Sequence, residues 1–180
     1  MILSKKDLKH YIKEDAKMYG LNPKKIYIFG KETWKFIRSL RYYEYHLNVS
    51  KNPIALLYWR IVNRKFGLKL GFDIPPNTCG AGLRINHYGN IVISRDAKIG
   101  KNCDIHQGVN IGADMKGGVP LIGDSVWIGP GAKLYGNIQI ASRCAIGANA
   151  VVNKSFLEEK ITIAGVPAKK ISNTGNLYAK

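Results

Sequence analysis

The chain has 180 residues, a formal net charge of +16 and an apolar fraction of 46%. Such a length suits one folded unit with a modest attachment, and that apolar content excludes a polar, disordered chain. No apolar run approaches the roughly 20 residues that span a bilayer, and the start Met1-Ile2-Leu3-Ser4-Lys5-Lys6 turns charged before a signal-peptide core could form, so the protein is expected in the cytoplasm.

The charge is uneven. Residues 1–70 hold 16 Lys or Arg against five Asp or Glu, a balance of +11, while residues 71–180 hold 12 against seven, a balance of +5. A basic surface of this kind attracts nucleic acid, anionic lipid, acidic polysaccharide or coenzyme phosphates, or is simply a solvated helix face.

In chain order, Ser4 with Asp7 three residues on reads as the N-cap of a first helix, with Leu8, Ile12 and Tyr19 on one face and Gly20 and Pro23 as stop signals. A second helix is predicted from Lys31 to Leu47, burying Trp34, Ile37 and Leu40. Asn52-Pro53 reads as N-cap and first residue of a third helix ending near Gly67. The stretch Ile54 to Val62 is apolar on most of its circumference, so the first coil or a neighbouring subunit is expected to cover it. No nucleic-acid motif accompanies these helices, and no nucleic-acid partner is expected. Ordinary helix packing and peripheral contact with the inner face of a membrane both stay open for the basic, aromatic surface.

Past Gly71 a six-residue period takes over. Ile93, Ile99, Ile105, Ile111, Ile122, Ile128, Leu134, Ile140, Ile146 and Val152 keep one phase, broken only by an eleven-residue step that must bulge at 113–121. A period of six fits neither a helix nor one long strand; it fits short strands stacked as coils of a solenoid. Four positions after each aliphatic residue comes a small or apolar one, such as Ala97, Cys103, Val126 and Cys144. Both sets are predicted to fill one continuous core, with Cys103 and Cys144 as buried reduced thiols rather than disulfide or metal ligands. Gly100, Gly112, Gly123, Gly129 and Gly147 follow aliphatic residues, where a corner free of Cβ strain is useful. The spacing slips at the start: Ile74 to Ile85 is eleven and Ile85 to Ile93 is eight, so both slips flank His87. The expected division is a helical region over 1–70, the solenoid over 71–171 and a polar, mobile tail over 172–180.

The repeat Ile-Gly-x-x-x-x resembles the hexapeptide-repeat acyltransferases. Within them, Gly71-Phe72-Asp73-Ile74-Pro75-Pro76, Ile85-Asn86-His87-Tyr88-Gly89, Gly108 to Gly112, Ile128 to Lys133 and Ala164 to Lys169 are similar to serine acetyltransferases. The resemblance implies a mainly β fold, a left-handed parallel β-helix, that assembles as a homotrimer with clefts shared between chains. It implies acetyl-CoA as co-substrate and no metal. Gly112, Ala113, Pro130, Gly131 and Ala148 match the main-chain positions that hold the pantetheine arm, and Lys169 the basic residue that approaches its phosphates.

The resemblance also makes His87 the base and Asp73 the carboxylate that orients it, since an Asp accepting one imidazole N–H fixes the ring tautomer. Asn86, Tyr88 and His106 are the expected acceptor-binding residues. Asp73 as a turn cap and His106 as a structural corner residue stay open. Asn86 stands where serine acetyltransferases carry Asp, and Lys116-Gly117-Gly118-Val119-Pro120 where they carry an Arg-His pair. A pocket lacking those groups pairs a zwitterion poorly, and the chain is more similar to the serine-acetyltransferase-like enzymes of surface polysaccharide synthesis. A sugar or polysaccharide hydroxyl is therefore the expected acceptor, with free serine and a non-catalytic scaffold as alternatives.

Overall fold

The computed structural model describes residues 1–178. Three helices lead in: α1 (Lys5–Met18), α2 (Glu32–Asn48) and α3 (Pro53–Leu70). Ser4 caps α1 by accepting from the Asp7 N–H, and the Asn52 side chain caps α3 by accepting from Ile54 and Ala55. Helix α3 does not stop at Gly67; it runs on to Leu70 and ends at Gly71, which takes the left-handed conformation. Gly67 is there because a Cβ would come within 2.7 Å of the Phe72 carbonyl oxygen, so the helix and the first strand approach closely.

The solenoid follows. Its first coil carries β1 (Phe72–Asp73) and β2 (Arg84–Ile85). The second carries β3 (Ile91–Ile93), β4 (Lys98–Ile99) and β5 (Asp104–Ile105), and the third β6 (Asn110–Gly112), β7 (Leu121–Ile122) and β8 (Trp127–Ile128). The fourth carries β9 (Lys133–Tyr135), β10 (Gln139–Ile140) and β11 (Ala145–Ile146); β12 (Val151–Val152) and β13 (Thr162–Gly165) begin and end the last, and β14 (Ala168–Ser172) turns back.

These strands stack into three parallel faces, β1-β3-β6-β9-β12, β4-β7-β10 and β2-β5-β8-β11-β13, with β14 antiparallel at the edge of the third. Bridges from Cys79 to Ile99 and from Ile140 to Phe156 extend the second face at both ends. All ten phased aliphatic residues and the small residues four positions later are buried. The three cysteines are free and buried, Cys79 occupying the inward place that Ile99 fills one coil on. The hexapeptide glycines are not the left-handed corners that the sequence suggests. Positive φ falls later in each corner, at Asn102, Ser125 and Arg143. Gly123 instead lets coils touch: a Cβ there would lie 2.7 Å from the Ser142 nitrogen.

The first coil has no coil before it, so its backbone needs other partners. The helices supply them as side chains. Asp15 accepts from the N–H groups of Gly82 and Leu83, at 2.7 and 2.8 Å. Arg41 donates to the carbonyls of Cys79 and Gly80, and Glu44 accepts from Asn77 N–H. The Tyr19 hydroxyl pairs with both the carbonyl and the N–H of Ile85, each at 2.8 Å. Arg41 also pairs with Asp15 and Glu44, at 2.8 and 3.0 Å, all three buried. Burial opposes the Arg41 charge, and the two carboxylates more than offset it, holding its pKa above the usual value.

At the other end the polar tail is tied down rather than loose. Asn176 donates its N–H to the Arg143 carbonyl and its side-chain amide to the Ser125 carbonyl, both at 2.8 Å. Residues 179 and 180 lie outside the described part of that tail.

Candidate active site

The register slip makes one corner longer than the rest. Ile85 pairs with Ile105, and Val92 with Asn110. The chain therefore takes seven steps from Ile85 to Val92 where the coil below takes five from Ile105 to Asn110. The two extra residues belong to Asn86-His87-Tyr88-Gly89-Asn90, which stands out from the wall. His87 and Tyr88 are exposed there, and Gly89, at φ +131°, rests on the side chain of Gln107. No residue with a Cβ adopts that conformation without strain.

Beneath the corner lies a polar cluster. The Arg84 guanidinium donates to Oδ2 of Asp104, from Nε at 3.0 Å and also from a terminal nitrogen. The Asn86 amide nitrogen lies 2.8 Å from Asp104 Oδ1 and 2.9 Å from His106 Nε2. An amide nitrogen only donates, so Nε2 accepts and the His106 proton sits on Nδ1. The His106 ring packs on Trp127, centroids 4.9 Å apart, and faces His87 at 6.4 Å. Gly129 makes room for that arrangement, since a Cβ there would lie 2.8 Å from the indole of Trp127.

Burial lowers the His106 pKa; Asp104 restores part of the loss, and His87 and Arg84 lower it further. A neutral His106 beside an exposed His87 follows at neutral pH. Gln107 Oε1 is buried and has no hydrogen-bond partner among the described residues, directly under the His87 corner. Tyr88 and Asn86 also line a cleft of about 460 Å³ with Tyr19, Lys31 and Lys69, between the corner and the helices.

Of the residues singled out from sequence, the fold thus gathers Asn86, His87, Tyr88 and His106. Asp73 is exposed on β1, beside Val92, where it lines a separate cleft with Tyr43, Arg60 and Arg95. Among the described residues it makes no hydrogen bond to His87. Gly112 and Ala113 open the bulge of the third coil, Pro130 and Gly131 form the corner below Gly108, and Ala148 the next corner. Lys169 is exposed on β14, whereas its neighbour Lys170 pairs with Glu158 at 2.6 Å. Sequence reading missed Arg84, Asp104, Gln107 and Trp127. Outward residues recurring near each coil's end were the available signal, but the six-residue period is carried by the inward ones.

The thiols are unsuited to nucleophilic work: burial pushes Cys79 up to about 11 and Cys103 to about 12, and raises Cys144. Among the described residues, no group of three or more His, Cys, Asp or Glu side chains could hold a metal ion.

The bacterial transferase hexapeptide (six repeats) profile matches residues 120–154, within the third to fifth coils. The solenoid is a hexapeptide-repeat fold. The chain is 40% identical over 108 residues to a serine acetyltransferase of Mycobacterium tuberculosis, a match covering 58% of this chain and 47% of that one. It superposes on the structure of serine acetyltransferase from Brucella abortus in complex with coenzyme A with a TM-score of 0.76, at 25% identity, over 96% of this chain and 70% of that one. For serine acetyltransferase of Neisseria gonorrhoeae in complex with serine the TM-score is 0.72, at 28% identity, over 94% and 71%. The chain spans about half the length of the curated relatives it matches, 49% and 58% for two of them, from Synechococcus elongatus and Staphylococcus epidermidis.

Proposed function

We propose that this hexapeptide-repeat chain is an acetyl-CoA-dependent O-acetyltransferase whose acceptor is the hydroxyl of serine. What supports the reading is the His87 corner at the slip of the solenoid, in a chain that superposes on a serine acetyltransferase over 94% of its own length. His87 takes the proton of the acceptor hydroxyl as that oxygen attacks the thioester carbonyl, and coenzyme A leaves as the thiol. A ternary complex suffices, because the cysteines are buried and held protonated. His106, neutral and held by the Asn86 amide and the Trp127 ring, lies beside His87, and Gln107 Oε1 is an open acceptor for an ammonium or hydroxyl. Asp73 is the carboxylate proposed to steady the His87 imidazolium. The backbone at Gly112, Ala113, Pro130, Gly131 and Ala148 would hold the pantetheine arm of the coenzyme, with Lys169 toward its phosphates. In a homotrimer, which the resemblance implies, these two sets come from neighbouring chains.

The link to surface polysaccharide synthesis drawn from sequence receives no support from the relatives found. A sugar hydroxyl stays as a second reading on one observation: Asn86 is committed to Asp104 and His106, and Lys116 is the only charged residue in the 115–120 loop, so a zwitterion meets fewer charges than expected. A transfer assay offering serine beside nucleotide sugars and short glycans decides between them. Efficient turnover of serine is expected; turnover of a glycan with serine inert would overturn the proposal in favour of the second reading.

A further inference from the structure

Helix α3 exposes an apolar stripe that none of the described residues covers. Ile54 is 79% exposed, Leu57 57%, Ile61 46% and Leu68 73%, with Tyr58 beside them. At 100° per residue these five fall within an arc of about 100°, opposite Asn63, Gly67 and Leu70, which are buried against α2 and β1. The buried side is well fixed: the Asn63 amide donates to Ser39 Oγ at 3.0 Å, and Tyr42 of α2 stacks on Trp59 at 4.5 Å. These contacts fix which face of α3 points outward.

Its charge identifies the occupant. Helix α3 carries Arg60, Arg64, Lys65 and Lys69, all exposed, and no acidic residue. On the helical wheel Arg64 flanks the stripe on one side, Lys69 on the other, and Lys65 falls within it. A second copy docked stripe to stripe would oppose these cations to one another with no carboxylate on either helix, a costly juxtaposition. Phosphate headgroups pair with all of them while the apolar side chains enter the acyl boundary. The loop before α2 also exposes apolar side chains, Ile26, Ile28 and Phe29. It lies at the C-terminal end of α3, because Lys31 and Glu32 share a cleft with Lys69 and Leu70. No helix among the described residues is long and apolar enough to cross a membrane, so contact of this kind is peripheral.

We infer that the outward face of α3, with Ile54, Leu57, Ile61 and Leu68 between Arg64, Lys65 and Lys69, binds the surface of an anionic lipid bilayer. The inference is independent of the acetyltransferase reading.

The test is co-sedimentation of the full chain with vesicles of phosphatidylcholine alone and of phosphatidylcholine mixed with phosphatidylglycerol. Binding to the mixed vesicles only, weakened by salt, is expected. Leu57→Ser and Ile61→Ser should each lower partitioning on the order of tenfold, and Arg64→Gln and Lys65→Gln about fivefold each. These side chains are exposed, so the thermal unfolding of each variant should match the parent. Absence of binding to mixed vesicles, or binding that the variants leave unchanged, overturns the inference. So does a change of oligomeric state in Leu57→Ser without loss of vesicle binding, which would assign the stripe to a second copy.

Discussion

The first coil and the coils below it solve one problem in different ways. In the interior coils each strand is satisfied by the backbone above and below, so stability is spread over many equivalent contacts among buried aliphatic residues. In the first coil the missing neighbour is replaced by four side chains, Asp15, Tyr19, Arg41 and Glu44, from helices that share no repeat with the solenoid. The molecule is therefore brittle at its cap, which depends on single polar side chains, whereas the repeat spreads its contacts over many equivalent residues.

Arg41→Ala should destabilise the cap most severely. It leaves the Asp15 and Glu44 carboxylates buried without their cation, a loss of about 3–5 kcal/mol, to be read from urea denaturation of the variant and parent. Tyr19→Phe removes one hydroxyl that serves both polar groups of Ile85, and should cost about 1–3 kcal/mol in the same assay. A loss at Tyr19 as large as that at Arg41 would mean that hydrogen bonding, not charge, secures the cap.

The smallest expected effect sharpens the contrast at the site itself. The folded pKa of His106 lies below its usual 6.5, with burial as the main cause. The unfolded chain therefore takes up the proton first as pH falls, and stability present above about 6.5 declines from there toward the folded pKa. Denaturation midpoints measured across mildly acidic pH should fall, and His106→Gln should flatten part of that slope. In NMR titration Asp104→Asn should lower the His106 pKa further, because Asp104 is the group that raises it. A rise would contradict the arrangement described here.

The interior coils were legible because Ile, Leu and Val recur in phase and nothing competes with that signal. The slip at His87 was legible for the same reason, as a break in a strong period. Helix starts were marked by Ser4 and Asn52, whose caps are local. The end of α3 was not: Gly67 reads as a stop, but its role is the close approach of Phe72, a contact made only by the fold. The hexapeptide glycines were misread similarly, as turn formers when they are points of contact between coils. Asn86 and His106 were legible beside the slip, but Arg84 and Asp104 were not, because the two coils' contributions lie 18 to 20 residues apart and meet only once the coils stack. The tail reads as mobile from composition, but Asn176 ties it to two distant corners, through its backbone N–H to Arg143 and its side chain to Ser125.

We propose His87, on the long corner of the first coil, as the base for acetyl transfer. The most direct test is the steady-state kcat of His87→Ala with acetyl-CoA and serine, beside its oligomeric state and coenzyme A binding. A fall of about 10²- to 10⁴-fold in kcat, the usual scale for losing a positioned general base, with assembly and coenzyme binding retained, is the expected result. Near-parental kcat in a correctly assembled His87→Ala protein would contradict it.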